Sequence, residues 1–404
     1  MKLLIVGFNA RPIAKSALEA GHEVGVIDYF GDMDLLLITK NCFSVLRQKP
    51  GETLHRELHR KPAEYLYILA EIMCDEQNDF DGILLGSSFD RYPEIVESFS
   101  KLGPELYANN SKRYELVRDK KKINELAENA GFIIPKLFAV RDFREAIEMG
   151  ENLGYPIVTR EDGGGGGAGI KLWESSEEIT SYYEDKEKGP LWVQEFIDGK
   201  DASASVICSE NGSRIISFNS QLMGDKKLGA PGPFSYCGNV TPLDIRNQLN
   251  TNDFYNSFSN IIHELLSNVN LLGSNGIDFV ISNDKLYFME INPRLQGSLE
   301  CIQYSIDENI IKLHLDSFNN SSNIKNTKPK YKKWGFKGIL FSNQESSFAV
   351  KKYPKSKTIV DRTHLNTILE YCDPFCSIVF SSKKLQNGYQ KLYKTADEII
   401  SVNK

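Results

Sequence analysis

Apolar and polar residues alternate along the chain in segments that predict strands and helices in turn. Near the start, the apolar run 2–6 predicts a buried strand, and Pro12 begins an amphipathic stretch, ending at Gly21, that predicts a helix. The β-rich segment 23–28 predicts a second strand, which closes with the acid Asp28. A strand–helix–strand opening of this kind predicts a doubly wound α/β domain with a parallel sheet.

Polar residues follow the predicted strands of this first domain. Asn9 and Arg11 come after the first strand, and Ser87 and Asp90 come after a later apolar segment, 82–86. Ligands of parallel α/β sheets bind at the carboxyl ends of the strands, so these four side chains are candidates for a substrate cleft. Capping of the helices that follow is an equally good explanation. The opening lacks the full GxGxxG pattern, which makes a dinucleotide site a weak interpretation.

A glycine-rich segment, 163–169, lies between two predicted strands. Its residues are Gly163, Gly164, Gly165, Gly166, Gly167, Ala168 and Gly169. Glycine backbone N–H groups can fold around a phosphate, and the strand before the segment ends in the cation Arg160. The close bracketing by strands favours a phosphate-binding loop over a flexible linker. No Gly-Lys-Ser/Thr follows, so the segment is not a Walker A loop.

Two other segments suit a nucleotide, but each has a simpler explanation. Lys120, in a basic helical region that begins near residue 110, can reach a phosphate, although lysine clusters are usually solvated. Residues 191–201 predict a strand and then a connector whose backbone groups suit an adenine ring, with Asp201 placed to accept hydrogen bonds from a ribose. Taken alone, this segment is a strand, a turn and a strand.

Hard oxygen donors occupy a predicted hairpin, residues 276–291. Asp278 and Glu290 fall near facing points, and Asn292 follows on the same face as Glu290. Two carboxylates and an amide oxygen suit Mg²⁺. The cation Arg294 comes next, where it can hold an anion bridged to the metal. A surface hairpin with solvated charges is the alternative.

Composition limits the class of protein. The 404 residues allow two to four domains, and 41% apolar and 25% charged residues are ordinary for a globular chain. A net charge of −6 argues against nucleic-acid and membrane-surface partners, and no apolar run is long enough to span a membrane. The seven cysteines show no CxxC pair or zinc spacing, which predicts free thiols in a reducing compartment. The cytoplasm is therefore the expected location.

The motifs occur in an order that resembles the ATP-grasp superfamily over residues of about 110–316. They are the cation-ended strand, the glycine-rich loop, a Gln-Glu-Phe-Ile-x-Gly connector and an Asp…Glu-x-Asn-Pro-Arg hairpin. The segment 289–296 is similar to the signature of the branch related to biotin carboxylase. The resemblance implies an α/β ATP-grasp fold with an N-terminal parallel α/β domain and a small C-terminal β-rich domain. The implied boundaries are 1–110 for the N-terminal domain, 111–317 for the ATP-grasp domain with a lid at about 133–195, 318–333 for a linker and 334–404 for the C-terminal domain.

The resemblance also implies roles for the motif residues. Lys120 and Arg160 would contact the phosphates of ATP beneath the glycine-rich loop. Arg294 would be catalytic, with Arg160, and would stabilise an acyl phosphate and a tetrahedral intermediate. One or two Mg²⁺ or Mn²⁺ ions would be bound by Asp278, Glu290 and Asn292. The connector would supply the remaining ATP contacts, from Gln194, Glu195, Phe196, Ile197 and Asp201. The expected substrate-binding residues are Asn9, Arg11, Ser87, Asp90, Asn239 and Gln296.

Two departures from the family pattern bear on the implied activity. Arg160 stands where the family usually has lysine, which keeps the charge but changes the geometry. Gly-Ser-Leu-Glu follows Gln296 in place of the Val-Glu-His of biotin carboxylase, and no Met-Lys-Met carrier segment follows. The implied protein is a ligase that uses ATP and Mg²⁺ to join a carboxylic acid to an amine, and the family resemblance suggests a homodimer. The alternatives are an ATP-dependent carboxylase that uses bicarbonate and a nucleotide-binding protein without turnover.

Overall fold

A computed structural model of the chain describes residues 1–58, 61–161, 166–167, 169–183, 191–244, 251–319, 327–342 and 346–403, with the backbone only at 161 and 251–253. Its helices are α1 (Arg11–Glu19), α2 (Leu35–Ile38), α3 (Pro62–Glu76), α4 (Pro93–Phe99), α5 (Ser111–Arg118), α6 (Lys120–Ala130), α7 (Phe143–Leu153), α8 (Ser176–Tyr183), α9 (Thr251–Val269), α10 (Leu299–Ser305), α11 (Ile310–Asp316) and α12 (Leu385–Ser401). Its strands are β1 (Lys2–Gly7), β2 (Glu23–Asp28), β3 (Cys42–Ser44), β4 (Gly82–Leu85), β5 (Glu105–Tyr107), β6 (Leu137–Val140), β7 (Ile157–Glu161), β8 (Ile170–Trp173), β9 (Leu191–Glu195), β10 (Lys200–Ser209), β11 (Gly212–Met223), β12 (Tyr236–Thr241), β13 (Gly273–Ser282), β14 (Lys285–Asn292), β15 (Trp334–Phe341), β16 (Phe348–Ala349), β17 (Ile359–Val360), β18 (Ile368–Leu369) and β19 (Pro374–Ser382). Short 3-10 helices lie at Arg56–Leu58 and Lys226–Leu228.

The N-terminal sheet is parallel, in the order β3-β2-β1-β4-β5, so the predicted doubly wound opening is confirmed. Alternate residues of β1 pack against α1 on one face and against α3 and α4 on the other. Gly7 and Gly86 meet at the carboxyl ends of β1 and β4, where a Cβ on Gly7 would lie 3.2 Å from the Gly86 Cα. These two glycines therefore let the strand ends approach closely beneath the predicted cleft.

The predicted lid contains a four-stranded sheet, in the order β6-β9-β7-β8, packed on α7 and α8. The amphipathic stretch 143–153 predicts a helix and forms α7 with the same bounds. The segment 133–138 predicts a strand, but the strand of the structure is β6, which begins only at Leu137. Pro135 has no N–H for a ladder and separates β6 from Ile133. Ile133 pairs with Tyr287 on β14, so the chain enters the lid from the edge of another sheet.

The large sheet has the order β14-β13-β10-β11-β12-β15-β19-β17 and runs through both the predicted ATP-grasp and C-terminal segments. The glycines and prolines of segment 229–242 predict a long irregular loop. That prediction is wrong for the end of the segment, because β12 makes ladder hydrogen bonds to β11 and β15. The C-terminal strands β15, β17 and β19 belong to this sheet, whereas β16 and β18 pair with each other in a separate two-stranded sheet. The domain boundary at residue 334 therefore stays a prediction. The strands before and after it, β12 and β15, are neighbours in one sheet.

In the first half of β10, one face of the large sheet is apolar and the other is polar. On β10, Ala202, Ala204 and Val206 pack into a core with α6 and α9, so Ser203 and Ser205 face the opposite side. This polar face is where polar ligands could bind. Within the described ranges, no helix combines the length and apolarity needed to cross a membrane.

Candidate active site

The carboxylates of the predicted hairpin lie side by side on the polar face. Asp278 of β13 and Glu290 of β14 are direct register partners, with a bulge immediately after Asp278. The Asn292 Nδ2 donates to Asp278 Oδ2 at 2.9 Å and approaches Glu290 Oε1 at 3.5 Å. The three predicted metal ligands are therefore brought together. We call Asp278 and Glu290 the carboxylate pair.

A fourth residue, Gln221 on β11, joins this cluster without having been predicted. Its Nε2 donates to Asp278 Oδ1 at 2.9 Å, across the intervening strand β10. Polar residues alternate on β11 at Ser217, Asn219 and Gln221. This alternation places Ser217, Asn219 and Gln221 on one face of β11. It is the sequence feature from which the position of Gln221 on the polar face could have been predicted.

The electrostatics of the carboxylate pair favour a cation. Burial, with the charge of Glu290 adding to it, raises the pKa of Asp278 to about 8. Two carboxylates at adjacent register positions repel each other, and a divalent ion with oxygen ligands relieves that repulsion. Among the described residues, no group of three His, Cys, Asp or Glu side chains could hold a metal ion, and the third polar group beside the carboxylate pair is the Asn292 amide.

Asn292 is the amide at this position, but its orientation differs from the prediction. Its Oδ1 accepts from an Arg294 terminal nitrogen at 2.9 Å, while its nitrogen faces Asp278. The amide group must rotate to present its oxygen to a cation between the carboxylates. The donor set fits Mg²⁺ after that rotation.

Arg294 lies beside the cluster and is held on several edges. Its Nε donates to both carboxylate oxygens of Asp90 at 2.9 Å, and its NH1 donates to the Leu295 carbonyl at 3.2 Å. Asp90 is thus bound to Arg294 across the boundary between the N-terminal sheet and the large sheet. The sequence predicted both residues but not their pairing.

The lid brings Arg160 over the hairpin. Its NH1 donates to Gln194 Oε1 at 3.2 Å, and its NH2 lies 3.8 Å from Glu290 Oε2. Gln194 in turn contacts Met289, with 3.6 Å between Nε2 and the sulfur. The predicted phosphate-binding cation and the predicted metal ligand are therefore neighbours.

Part of the glycine-rich loop contacts the start of β12. Gly163, Gly164, Gly165 and Ala168 lie outside the described residues. The Tyr236 N–H donates to the Gly166 carbonyl at 3.2 Å. A Cβ on Gly167, whose φ is +89°, would lie 1.8 Å from the Phe234 carbonyl oxygen, so only glycine fits there. Gly169 also has a positive φ, +77°.

The predicted ATP connector borders a cavity of about 520 Å³. Asp201, Gln221 and Lys226 line this cavity, and burial raises the pKa of Asp201 to about 6. The other connector residues, Glu195, Phe196 and Ile197, are partly exposed between β9 and β10. The predicted phosphate ligand Lys120 begins α6, where the Asp119 side chain caps the helix by accepting from the Lys122 N–H.

Four of the six predicted substrate residues lie in two places. Asn239 is buried on β12 and accepts from the Tyr236 hydroxyl, and Gln296 donates to the Arg294 carbonyl and packs against Gly276. Asn9 and Ser87 lie at adjoining strand ends, because the Phe8 N–H donates to the Ser87 carbonyl at 3.1 Å. The Asn9 Oδ1 is buried and accepts no hydrogen bond from the described residues.

Arg11 does not have the exposed position that substrate binding requires. It is 2% exposed, and its guanidinium contacts Glu300, Asp361 and Asp34. A cation enclosed by three carboxylates joins the N-terminal helix α1 to α10 and the C-terminal segment. Its environment is that of a structural ion pair, which corrects the prediction of a substrate contact.

Comparisons with known proteins agree with this architecture. The family profile of the ATP-grasp domain matches residues 117–298. An uncharacterized protein of Methanocaldococcus jannaschii is 26% identical over 408 residues, which cover 98% of this chain and 92% of that protein.

Two solved structures show the same fold over nearly the whole chain. Biotin carboxylase from Campylobacter jejuni aligns with a TM-score of 0.73 at 15% identity, covering 98% of this chain and 91% of that one. The biotin carboxylase domain of Hydrogenobacter thermophilus 2-oxoglutarate carboxylase, solved as a dimer with MgADP and bicarbonate, aligns with a TM-score of 0.71 at 12% identity, covering 98% and 89%. Residues 117–298 of this chain therefore match an ATP-grasp domain, and the chain shares its fold with biotin carboxylase structures.

Proposed function

We propose that the chain is a Mg²⁺-dependent ligase that uses ATP to join a carboxylic acid to an amine, with release of ADP and phosphate. The observation that carries the proposal is the approach of Arg160, on the lid, to the carboxylate pair on the large sheet. Phosphoryl transfer depends mainly on positioning and charge neutralisation, and this arrangement offers both signs of charge at one place.

The proposed reaction has two steps and uses no side-chain nucleophile. A carboxylate oxygen of the acid attacks the γ-phosphorus of ATP, the bond to the β,γ-bridging oxygen breaks, and ADP leaves. The amine nitrogen then attacks the acyl carbon and loses a proton, and phosphate leaves with the former carboxylate oxygen.

The residues of the chain have separate tasks in this scheme. Arg160 and Lys120 bind phosphate oxygens, and Asp201 binds the ribose at the edge of the cavity. Arg294 holds the acyl phosphate. Asp278, Glu290 and, after rotation of its amide, Asn292 would hold Mg²⁺, which would neutralise charge on the phosphates.

A carboxylase that uses bicarbonate as the acid is the second candidate. The likeness to a biotin carboxylase domain that was solved with bicarbonate favours it. The absence of Val-Glu-His after Gln296 counts against biotin as the acceptor. The dimeric state of that relative supports a homodimer here, which light scattering after size exclusion would test.

The test is ADP release from MgATP with pools of carboxylic acids and amines, supplied separately and together, beside an arm with bicarbonate alone. Release that requires both an acid and an amine supports the ligase, and stimulation by bicarbonate alone supports the carboxylase. Glu290→Ala should abolish the stimulated release, because one of the two carboxylates is lost. MgATP binding without ADP release in any arm, or full activity of Glu290→Ala, contradicts the proposal.

A further inference from the structure

Arg294 is held by an acid that comes from another part of the fold. Asp90 follows β4 of the N-terminal sheet, 204 residues before Arg294, and both of its carboxylate oxygens accept from the Arg294 Nε at 2.9 Å. The two side chains are 32% and 16% exposed, so the pair is shielded from most of the solvent. Such a pair fixes the plane of the guanidinium group.

The hydrogen bonds of Arg294 leave a defined part of its guanidinium available. An arginine has five N–H donors. The Nε donor is used by Asp90, one NH2 donor by Asn292 and one NH1 donor by the Leu295 carbonyl. Within the described part of the chain, two donors, one on each terminal nitrogen, therefore have no acceptor and are available to an anion.

The segment that carries Asp90 is itself anchored. Phe89 is fully buried and contacts Phe99 of α4 edge to face, with 5.1 Å between the ring centroids. Ser88 has a φ of +109°, which a residue other than glycine adopts only when its surroundings enforce it. The buried Phe89 and the strained backbone of Ser88 indicate that the surrounding structure holds Asp90 in a fixed position.

We infer that Asp90 is a positioning residue for Arg294 and does not bind substrate. Both carboxylate oxygens of Asp90 accept from Arg294, so the hydrogen bonds of this carboxylate are directed to the arginine and not to a substrate. The role in turnover rests on the proposed function, in which Arg294 holds the acyl phosphate. Asp90 aims the two remaining donors of Arg294 and keeps the cation from turning toward the carboxylate pair.

Loss of the Asp90 charge has a specific consequence for the carboxylate pair. Arg294 already interacts electrostatically with Asp278 and Glu290. Without Asp90, these two carboxylates are the nearest compensating charges, and the guanidinium would then compete with a metal ion for them. A merely structural loss of Asp90 would not raise the concentration of Mg²⁺ that the protein requires.

The experiment compares Asp90→Asn and Asp90→Glu with Glu308→Gln in the full chain. Glu308 binds both terminal nitrogens of Arg214, and that pair is 37% and 17% exposed, which matches the Asp90 pair closely. With the acid and amine that stimulate ADP release, Asp90→Asn should lower kcat about 10- to 100-fold while KM for MgATP changes less than about twofold. It should also raise the Mg²⁺ concentration for half-maximal rate. Asp90→Glu should restore part of kcat, and Glu308→Gln should leave all three quantities unchanged.

A second readout needs no substrate. The Nε–H of Arg294, assigned with Arg294→Lys in ¹⁵N–¹H correlation spectra, should exchange slowly with water in the wild-type protein. In Asp90→Asn this signal should shift and lose its slow exchange, while Glu308→Gln should leave it in place. If the wild type releases no ADP with any pool, the proposed ligase fails and this spectrum alone decides the role of Asp90. An unaltered Arg294 signal in Asp90→Asn, or equal losses of kcat in Asp90→Asn and Glu308→Gln, overturns the inference.

Discussion

Arg294 is the most highly connected cation of the candidate site described above, because its guanidinium donates hydrogen bonds to Asp90, Asn292 and a backbone carbonyl. Lysine keeps the charge but has a single nitrogen and cannot replace this planar arrangement. We expect Arg294→Lys to lower kcat for stimulated ADP release about 100-fold, with little change in KM for MgATP.

The matched control for this substitution is Arg214→Lys. Arg214 also binds a carboxylate through its fork, at Glu308, but lies away from the site. It should retain near wild-type turnover. Equal rates for Arg294→Lys and the wild type would assign Arg294 a structural role.

Gly167 offers a second test at the residue scale, in the glycine-rich loop. An alanine there carries a left-handed φ and would also place its Cβ 1.8 Å from the Phe234 carbonyl oxygen. Gly166 has a similar φ of +61° but has nothing within 4 Å of its Cβ direction. We therefore expect Gly167→Ala to raise KM for MgATP about tenfold and Gly166→Ala to raise it far less.

Steady-state assays of ADP release give both KM values. If the two alanine variants behaved alike, backbone strain alone would explain the effect. The contact between the loop and the segment before β12 would then have no part in MgATP binding.

The packing of α12 on β15 provides a test at the scale of elements. Gly388 of α12 is buried against Phe336, and a Cβ would lie 2.1 Å from that ring. Phe336 stacks on Phe380 with 5.2 Å between the ring centroids and is also contacted by Tyr389, so it has little room to move. Gly388→Ala should destabilise the protein by about 1–3 kcal/mol, although alanine favours a helix by about 1 kcal/mol over glycine.

Urea unfolding measures this change, and Asn387→Ala is the control on the exposed side of the same helix. The control gains helix propensity without meeting a ring, so it should be neutral or slightly stabilising. If Gly388→Ala were stabilising too, the close packing of α12 on the large sheet would be contradicted.

The sequence could predict elements whose pattern is local, and the hairpin of β13 and β14 is the best example. A turn signal between two segments of period-two alternation determines which residues face each other, so Asp278 and Glu290 could be paired in advance. Strand β12 could not be predicted this way. Its segment contains Gly238 and follows Pro233, and it becomes a strand because β11 and β15 flank it.

Contacts between distant parts of the chain were beyond prediction for a related reason. Gln221 is 57 residues from Asp278, and Asp90 is 204 residues from Arg294. No local period relates such positions, and the sequence could therefore propose Asp90 only as a candidate at a strand end. The buried network of Arg11 was missed because a charge beside a strand end is read as exposed until the tertiary structure encloses it.

At the scale of the whole molecule, buried and partly buried polar contacts join the N-terminal sheet to the rest of the structure. Arg11 reaches the C-terminal segment, Asp90 reaches Arg294, and His314 of α11 lies between the two sheets. The His314 Nδ1 accepts from the Ser274 N–H at 2.9 Å, and its Nε2 donates to the Tyr107 carbonyl at 2.9 Å. This arrangement requires the neutral imidazole.

The neutral His314 predicts how stability depends on pH. Burial lowers the pKa of His314 from 6.5 to about 4. Between pH 6.5 and 4 the unfolded chain takes up a proton on this histidine while the folded chain does not. The contribution of the neutral His314 to the free energy of unfolding is therefore complete above pH 6.5 and is lost as the pH falls toward 4. The difference corresponds to about 3 kcal/mol.

Urea unfolding at several pH values between 4 and 7 tests this dependence. His314→Gln keeps a donor and an acceptor but does not titrate, so it should be less stable at pH 7 and should lose less stability on acidification than the wild type. His55→Gln, at an exposed position, should follow the wild-type curve. If the stability of His314→Gln fell with decreasing pH as steeply as that of the wild type, other groups would produce the acid sensitivity. Because His314 contacts both sheets, that result would also mean that their junction does not depend on a neutral histidine.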